Sequence, residues 1–150
     1  MPDVFTREKR SEVMSCIRST GNKDTELKLA AMMREHGITG WRRQIRLRAA
    51  ATSATRPDIA VRPDFVFRRQ HVAVFVDGCF WHGCPRHATR PRQNRAFWDA
   101  KLARNKARDS AVSRALRRAG WTVLRIWECS LSAKRAPATL RRLERALAQP

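Results

Sequence analysis

Residues 64–77 read DFVFRRQHVAVFVD, in which two short runs rich in Val and Phe flank a polar turn. The runs over 64–67 and 72–76 predict two β-strands that pair as a hairpin. In an antiparallel pair the start of one strand lies beside the end of the other. We therefore expect Asp64 and Asp77 to lie close together at one end of this hairpin.

The segments outside the hairpin predict the rest of the fold. Helices are expected over 24–36, over 94–119 and from about 138, and strands over 41–47 and 121–127. The second helix has the clearest pattern, because neither Pro nor Gly interrupts it between Asn94 and Gly120. This order predicts an α/β sandwich with a mixed sheet. We expect one domain over 1–150, with a basic N-terminal arm or helix over 1–20 and a basic C-terminal helix over 135–150.

The composition restricts the class of protein. The 150 residues include 32 Lys and Arg against 13 Asp and Glu, a formal charge of +19, and 43% are hydrophobic. That content is too high for a disordered tail, and no apolar run reaches membrane-spanning length. A charge surplus of this size favours nucleic acid as partner, with a membrane surface or an acidic protein as the alternative. The first 20 residues lack the apolar stretch of a secretory signal, so we expect a cytoplasmic, nucleoid-associated protein.

A loop over 78–95, rich in Gly, Pro, Cys and His, carries a candidate metal site. Cys79, Cys84 and His87 occur close together, and Cys129 follows the strand that ends at residue 127. Three thiolates and an imidazole form a closed tetrahedral zinc (Zn2+) site, which would fix the loop to the strand end without taking part in chemistry. The alternative is that these cysteines are buried apolar residues or free thiols.

Carboxylates in so basic a chain are candidates for catalysis. If Asp64 and Asp77 meet near His82 of the loop, they can hold magnesium (Mg2+) against a phosphodiester. His82 can then accept the proton of the attacking water. The alternatives are that Asp64 caps a turn and Asp77 belongs to an Asp-Gly turn. Asp58 also follows an Arg-Pro dipeptide, six residues upstream of Asp64, and is the alternative candidate for the catalytic aspartate.

Longer motifs resemble one known family. Residues 62–67 read RPDFVF, residues 74–85 read VFVDGCFWHGCP, and residues 120–129 read GWTVLRIWEC. Over about residues 6–130 the chain closely resembles the very short patch repair endonucleases. The resemblance implies a restriction-endonuclease-like, PD-(D/E)xK fold. It also implies an enzyme that acts on double-stranded DNA with a T:G mismatch, the product of 5-methylcytosine deamination, and nicks one strand 5′ to the thymine.

The resemblance further implies roles for individual residues. Asp64 matches the aspartate that holds Mg2+, and His82 matches the general base. Glu26 and Asp109 match two further acidic residues near the family's active site. The family's structural zinc set falls on Cys79, Cys84, His87 and Cys129.

Aromatic and basic residues are the candidates for DNA binding. A T:G wobble pair deforms cheaply, so apolar side chains can wedge into it. The family's intercalating aromatics match Phe80, Trp81 and Trp98. Basic residues of the N-terminal arm are expected to lie along phosphates: Arg7, Lys9, Arg10 and Arg18. An asymmetric lesion needs no two-fold symmetry, so a monomer is expected; other mismatch-repair proteins are further candidate partners.

Two positions depart from the pattern of the best-known family member. Val76 stands where that member has a Thr, so a contact with Mg2+ there requires the main-chain carbonyl. Asp77 stands where it has a His, and either binds the metal or orients His82. Two other functions stay open from the residues. One is a non-catalytic, zinc-stabilised DNA-binding module, and the other is a restriction-type nuclease of the same fold that cuts matched DNA on both strands.

Overall fold

The computed structural model describes residues 6, 8, 25–49, 58–78, 84 and 93–149. The helices are α1 (Glu26–Glu35), α2 (Arg95–Arg118) and α3 (Ala136–Leu147), with a short 3-10 helix over Glu128–Leu131. The strands are β1 (Trp41–Arg42), β2 (Leu47–Ala49), β3 (Ile59–Val61), β4 (Phe65–Phe67), β5 (Val72–Asp77) and β6 (Thr122–Trp127). The predicted basic arm over 1–20 lies outside the described residues, apart from Thr6 and Glu8.

Four strands form the central sheet in the order β1, β4, β5, β6. The predicted hairpin is confirmed, because β4 and β5 pair antiparallel with Phe65 opposite Val74 and Phe67 opposite Val72. Strand β6 lies parallel to β5 on its other side. Antiparallel and parallel pairs therefore occur in the same sheet, which confirms the predicted α/β class and mixed sheet; the finer PD-(D/E)xK assignment stays a prediction.

Helices cover both faces of this sheet. Phe65 and Val74 belong to a buried cluster with apolar residues of α1 and α3. Val66 and Phe75, their neighbours along the strands, belong to a second buried cluster that includes Leu116 of α2. Because side chains alternate along a strand, the two clusters lie on opposite faces of the sheet. Both faces of β4 and β5 are therefore buried. The Val and Phe content of residues 65–67 and 72–76, with hardly any alternation between apolar and polar residues, is the sequence signature of this double burial.

The boundaries of α2 follow from its flanking residues. No Pro or Gly interrupts its 24 residues. At its end Gly120 has a φ of 93°, a backbone conformation that favours glycine. The amides of Gly120 and Trp121 donate to the carbonyls of Arg117 and Leu116 at 3.1 and 3.0 Å. This Schellman motif satisfies the last carbonyls and turns the chain into β6. Among the described helices none is both long and apolar enough to cross a bilayer.

The predicted strand over 41–47 was wrong in its extent. The structure ends β1 at Arg42 and begins β2 at Leu47, and between them Gln44 adopts a φ of 61°, which no extended strand allows. Strand β2 leaves the main sheet and pairs antiparallel with β3. Strand β3 was not predicted, since three residues are too few to show a periodicity. Helix α3 begins at Ala136 rather than near 138, with Pro137 in its first turn, where the missing amide costs nothing.

Candidate active site

The confirmed hairpin positions Asp64, the first of the predicted catalytic residues. Asp64 directly precedes β4 and is partly buried. The main-chain amide of Val76, near the end of β5, donates a hydrogen bond of 2.7 Å to Asp64 Oδ2. A hydrogen bond of this length fixes the orientation of the carboxylate. The carboxylate of Asp64 is therefore bound to the residue that directly precedes Asp77 in β5. This places Asp64 and Asp77 at the same end of the hairpin, as the antiparallel pairing predicts.

Asp77 lies at the end of β5 and is only 4% exposed. Its two carboxylate oxygens lie 3.1 and 3.3 Å from Nη1 of Arg125. Arg125 is opposite Phe75 in the parallel register, and its guanidinium carbon lies 4.4 Å from the centre of the Phe75 ring. The negative charge of Asp77 is thus compensated by Arg125, beside Phe75 of the second buried cluster.

Arg125 also contacts helix α2. Its Nη2 donates to the carbonyl oxygen of Asp109 at 3.1 Å, and its Nη1 lies 3.7 Å from Asp109 Oδ1. Its Nε donates to Ser113 Oγ at 2.9 Å. One guanidinium therefore connects two of the predicted site residues, Asp77 and Asp109. Arg125 was not predicted as a site residue, although a single charge within the apolar run Val-Leu-Arg-Ile-Trp is a visible signal of a buried ionic partner.

Glu26 has a partner of its own. It begins α1, is 3% exposed, and accepts hydrogen bonds of 2.8 and 2.6 Å from Nε and Nη2 of Arg43. Arg43 lies in the turn between β1 and β2, so the ion pair connects α1 to this turn. The contact gives Glu26 a structural function, and its catalytic role stays a prediction.

Two of the four predicted zinc ligands are described. Cys84 Sγ and Cys129 Sγ lie 3.8 Å apart, and Arg135 Nη1 lies 3.6 Å from Cys129 Sγ. This separation excludes a disulfide between the two sulfur atoms, since a disulfide requires about 2.05 Å. Within the described ranges, no three His, Cys, Asp or Glu residues cluster closely enough to hold a metal. Cys79 and His87, which would complete the predicted set, lie outside those ranges.

The aromatic pair at the start of α2 differs in exposure. Trp98, a predicted DNA contact, is 6% exposed, whereas its neighbour Phe97 is 55% exposed. The two rings meet edge to face at 5.4 Å, and Lys101 Nζ lies 5.4 Å from the Trp98 ring. Phe97 was not predicted as a contact and is the exposed large apolar side chain in the described part of the chain.

The remaining predicted residues divide by location. Asp58, the rival of Asp64, is exposed in front of β3. Val76 lies in β5, and its carbonyl as a magnesium ligand stays a prediction. The other predicted residues lie outside the described ranges, and they are His82, Phe80, Trp81, Arg7, Lys9, Arg10 and Arg18.

Carboxylates at the strand ends of a mixed sheet, in a chain with a charge of +19, are consistent with a nuclease. The sequence matches the family described as DNA mismatch endonuclease Vsr over residues 2–88. This is more than half of the chain, and the chain belongs to that family. The prediction of a DNA endonuclease is thereby confirmed, and the non-catalytic binding module is set aside.

Individual relatives agree with the family match. The Type II nicking enzyme V.NaeI of Lentzea aerocolonigenes is 53% identical over 70 residues, which cover 47% of this chain and 42% of that protein. The Type II nicking enzyme V.NmeDIP of Neisseria meningitidis serogroup C is 40% identical over 127 residues, 83% of this chain and 77% of the relative. The DNA mismatch endonuclease Vsr of Escherichia coli is 31% identical over 132 residues, 87% of this chain and 76% of the relative.

Proposed function

We propose that this chain is a Mg2+-dependent mismatch endonuclease that nicks one strand of double-stranded DNA 5′ to the thymine of a T:G pair. The names of the family and of the Escherichia coli relative support mismatch recognition, and the names of the two other relatives support nicking. The observation that carries the proposal is the Asp64 carboxylate, held by the Val76 amide at the end of the hairpin.

The donor atoms at this point suit magnesium. A carboxylate on Asp64 and a main-chain carbonyl on Val76 are hard oxygen ligands, which Mg2+ prefers to nitrogen or sulfur. When bound, the ion would supply Lewis-acid polarisation of the phosphate. The hydrogen bond from the Val76 amide holds the Asp64 carboxylate in one orientation before metal or DNA arrives, which lowers the cost of assembling the site. His82 is proposed to accept the proton of the attacking water.

The contacts of Asp77 favour a positioning role for this residue over a place among the metal ligands. Both its oxygens lie within 3.3 Å of one nitrogen of Arg125, and its side chain is buried. Moving Asp77 to a metal would leave the guanidinium of Arg125 with less compensation inside the protein. Asp77 is therefore proposed to hold Arg125, which in turn positions Asp109 of α2. Asp109 and Glu26 are proposed to act near the metal site without being its main ligands.

A structural zinc ion is proposed as a second metal. Two thiolates bound to one tetrahedral zinc at about 2.3 Å lie about 3.8 Å apart, which is the separation of Cys84 and Cys129. Cys79 and His87 would complete the set. Zinc bound by these residues would join the loop after β5 to the end of β6, next to the proposed catalytic residues.

Mismatch recognition is proposed to use aromatic residues of the loop after β5 and of α2. Phe80 and Trp81 are the proposed wedge residues, together with Trp98. Because Trp98 is 6% exposed, its insertion between bases requires the contacts around it to open when DNA binds. The N-terminal basic residues are proposed to follow the phosphates.

The magnesium step is tested with Asp64→Asn, which keeps an oxygen acceptor for the Val76 amide and removes the charge. The wild type is expected to nick a T:G duplex in the presence of Mg2+ and to leave it intact when Mg2+ is omitted. Asp64→Asn is expected to lose about 100-fold or more in single-turnover rate while it keeps its affinity for the duplex. Undiminished nicking by the variant contradicts the proposal, and cleavage of both strands of matched DNA supports a restriction-type nuclease instead.

A further inference from the structure

A cavity of about 360 Å³ lies between α2 and β6, beside the candidate active site. Its lining consists of Asp109, Ser110, Ser113, Arg114, Arg117 and Arg125. Positions 110, 113, 114 and 117 are separated by three, one and three residues, so they lie on one face of α2. Asp109 and Arg125 form the wall that the cavity shares with the candidate active site.

The charges around this cavity leave a positive surplus. Arg125 is compensated by Asp77 and Asp109. Arg114 and Arg117 are exposed, and among the described ion pairs neither has an acidic partner. The lining itself contains three Arg and one Asp. Asp77 contacts Arg125 from outside the lining and adds a second carboxylate, so the local net charge is +1. The hydroxyl group of Ser110 adds a neutral hydrogen-bond donor at the rim.

We infer that this cavity binds one backbone phosphate of the DNA substrate, held by Arg114 and Arg117. A phosphodiester carries one negative charge, which matches the surplus, and a guanidinium can bind phosphate through two parallel hydrogen bonds. The inference rests on the proposed endonuclease function. It adds a contact that would fix the position of the duplex relative to Asp109 and Asp64, because phosphate contacts set the register of a protein on DNA.

The first test compares two double variants that remove the same charge. Arg114→Gln/Arg117→Gln changes the cavity, and Arg141→Gln/Arg145→Gln changes exposed residues of α3. Affinity for a T:G duplex is measured without Mg2+ over a series of salt concentrations. The cavity variant is expected to bind about tenfold more weakly, with a salt slope lower by about one. The control is expected to change less than about threefold; an equal loss in both variants would show a general charge effect and overturn the inference.

The second test locates the phosphate. Duplexes are prepared in which one phosphate at a time is replaced by a neutral methylphosphonate. At one position the wild type is expected to lose about tenfold in affinity, and the cavity variant is expected to lose nothing further there. If wild type and cavity variant respond equally at every position, the cavity binds no phosphate.

Both tests separate this inference from the proposed function. They measure binding, whereas nicking of the same duplex with Mg2+ is measured in parallel. A wild type that binds as expected without nicking would contradict the proposed function and leave the phosphate site standing. Because Arg114 and Arg117 are exposed, the cavity variant is expected to unfold at the same temperature as the wild type. An unchanged unfolding temperature would show that its loss of affinity does not come from misfolding.

Discussion

Replacing Arg125 with Gln is expected to lower the free energy of unfolding by about 3 kcal/mol. Removing one partner of a buried ion pair costs about 3–5 kcal/mol, because the other charge keeps its desolvation penalty. The Asp77 side chain is 6% exposed and the Arg125 side chain 22% exposed, so the lower end of that range applies. In a chain of 150 residues this loss lowers Tm by roughly 6–12 °C.

The assay is urea unfolding followed by tryptophan fluorescence, in a cycle with Asp77→Asn. In Arg125→Gln the charge of Asp77 stays buried without its partner, and Asp77→Asn removes that charge. The double variant is therefore expected to lose about 2 kcal/mol less free energy of unfolding than the two single variants together. Arg142→Gln is the matched control, since exposed Arg142 donates to the main-chain oxygen of Arg125 at 3.0 Å. Its cost is expected to be about 0.5 kcal/mol or less.

Two results would refute this reasoning about Arg125. A loss below about 1 kcal/mol for Arg125→Gln would mean that Asp77 does not depend on its guanidinium. Strictly additive effects of Arg125→Gln and Asp77→Asn would mean that the two side chains do not interact. Either result would also remove the support for a positioning role of Asp77.

Three further predictions concern other parts of the molecule. Glu26→Gln is expected to cost about 1.5–3 kcal/mol, because it removes the charge from hydrogen bonds to Arg43; a change under about 0.5 kcal/mol in urea unfolding would contradict this. Wild-type protein is expected to hold one zinc ion per chain by elemental analysis, and Cys84→Ser to lose the zinc and unfold at a lower temperature; zinc-free protein with full activity would exclude the structural zinc. Trp98→Ala is expected to cost about 3 kcal/mol and Phe97→Ala less than about 1 kcal/mol; equal losses would contradict their different burial.

The hairpin and the long helix could be predicted because each has a strong local signal. Strands β4 and β5 consist mainly of Val and Phe on both faces, and α2 runs without Pro or Gly to Gly120. The small sheet of β2 and β3 could not be predicted. Its strands have three residues each, and their pairing depends on the backbone of Gln44, whose positive φ carries no clear sequence mark.

The candidate site divides in the same way. The position of Asp64 followed from the antiparallel hairpin. The closeness of Cys84 and Cys129 followed from the predicted zinc ligand set, which the resemblance to a known family supported. The charge of Arg125 within an apolar run indicates a buried ionic partner, but which partners it contacts could not be predicted, because Asp77, Asp109 and Ser113 come from two other elements. Such a contact between residues 12 to 48 positions apart becomes visible only when the elements are packed. The cavity beside α2 is a product of the same packing.

The central claim is that this chain nicks the thymine strand at a T:G mismatch. The most direct measurement uses T:G and fully paired duplexes of one sequence, with the two strands carrying different end labels, incubated with Mg2+. We expect a single product from the thymine strand of the T:G duplex, cut 5′ to the thymine, and an intact partner strand. Equal cleavage of the paired duplex, or cleavage of both strands, would contradict it.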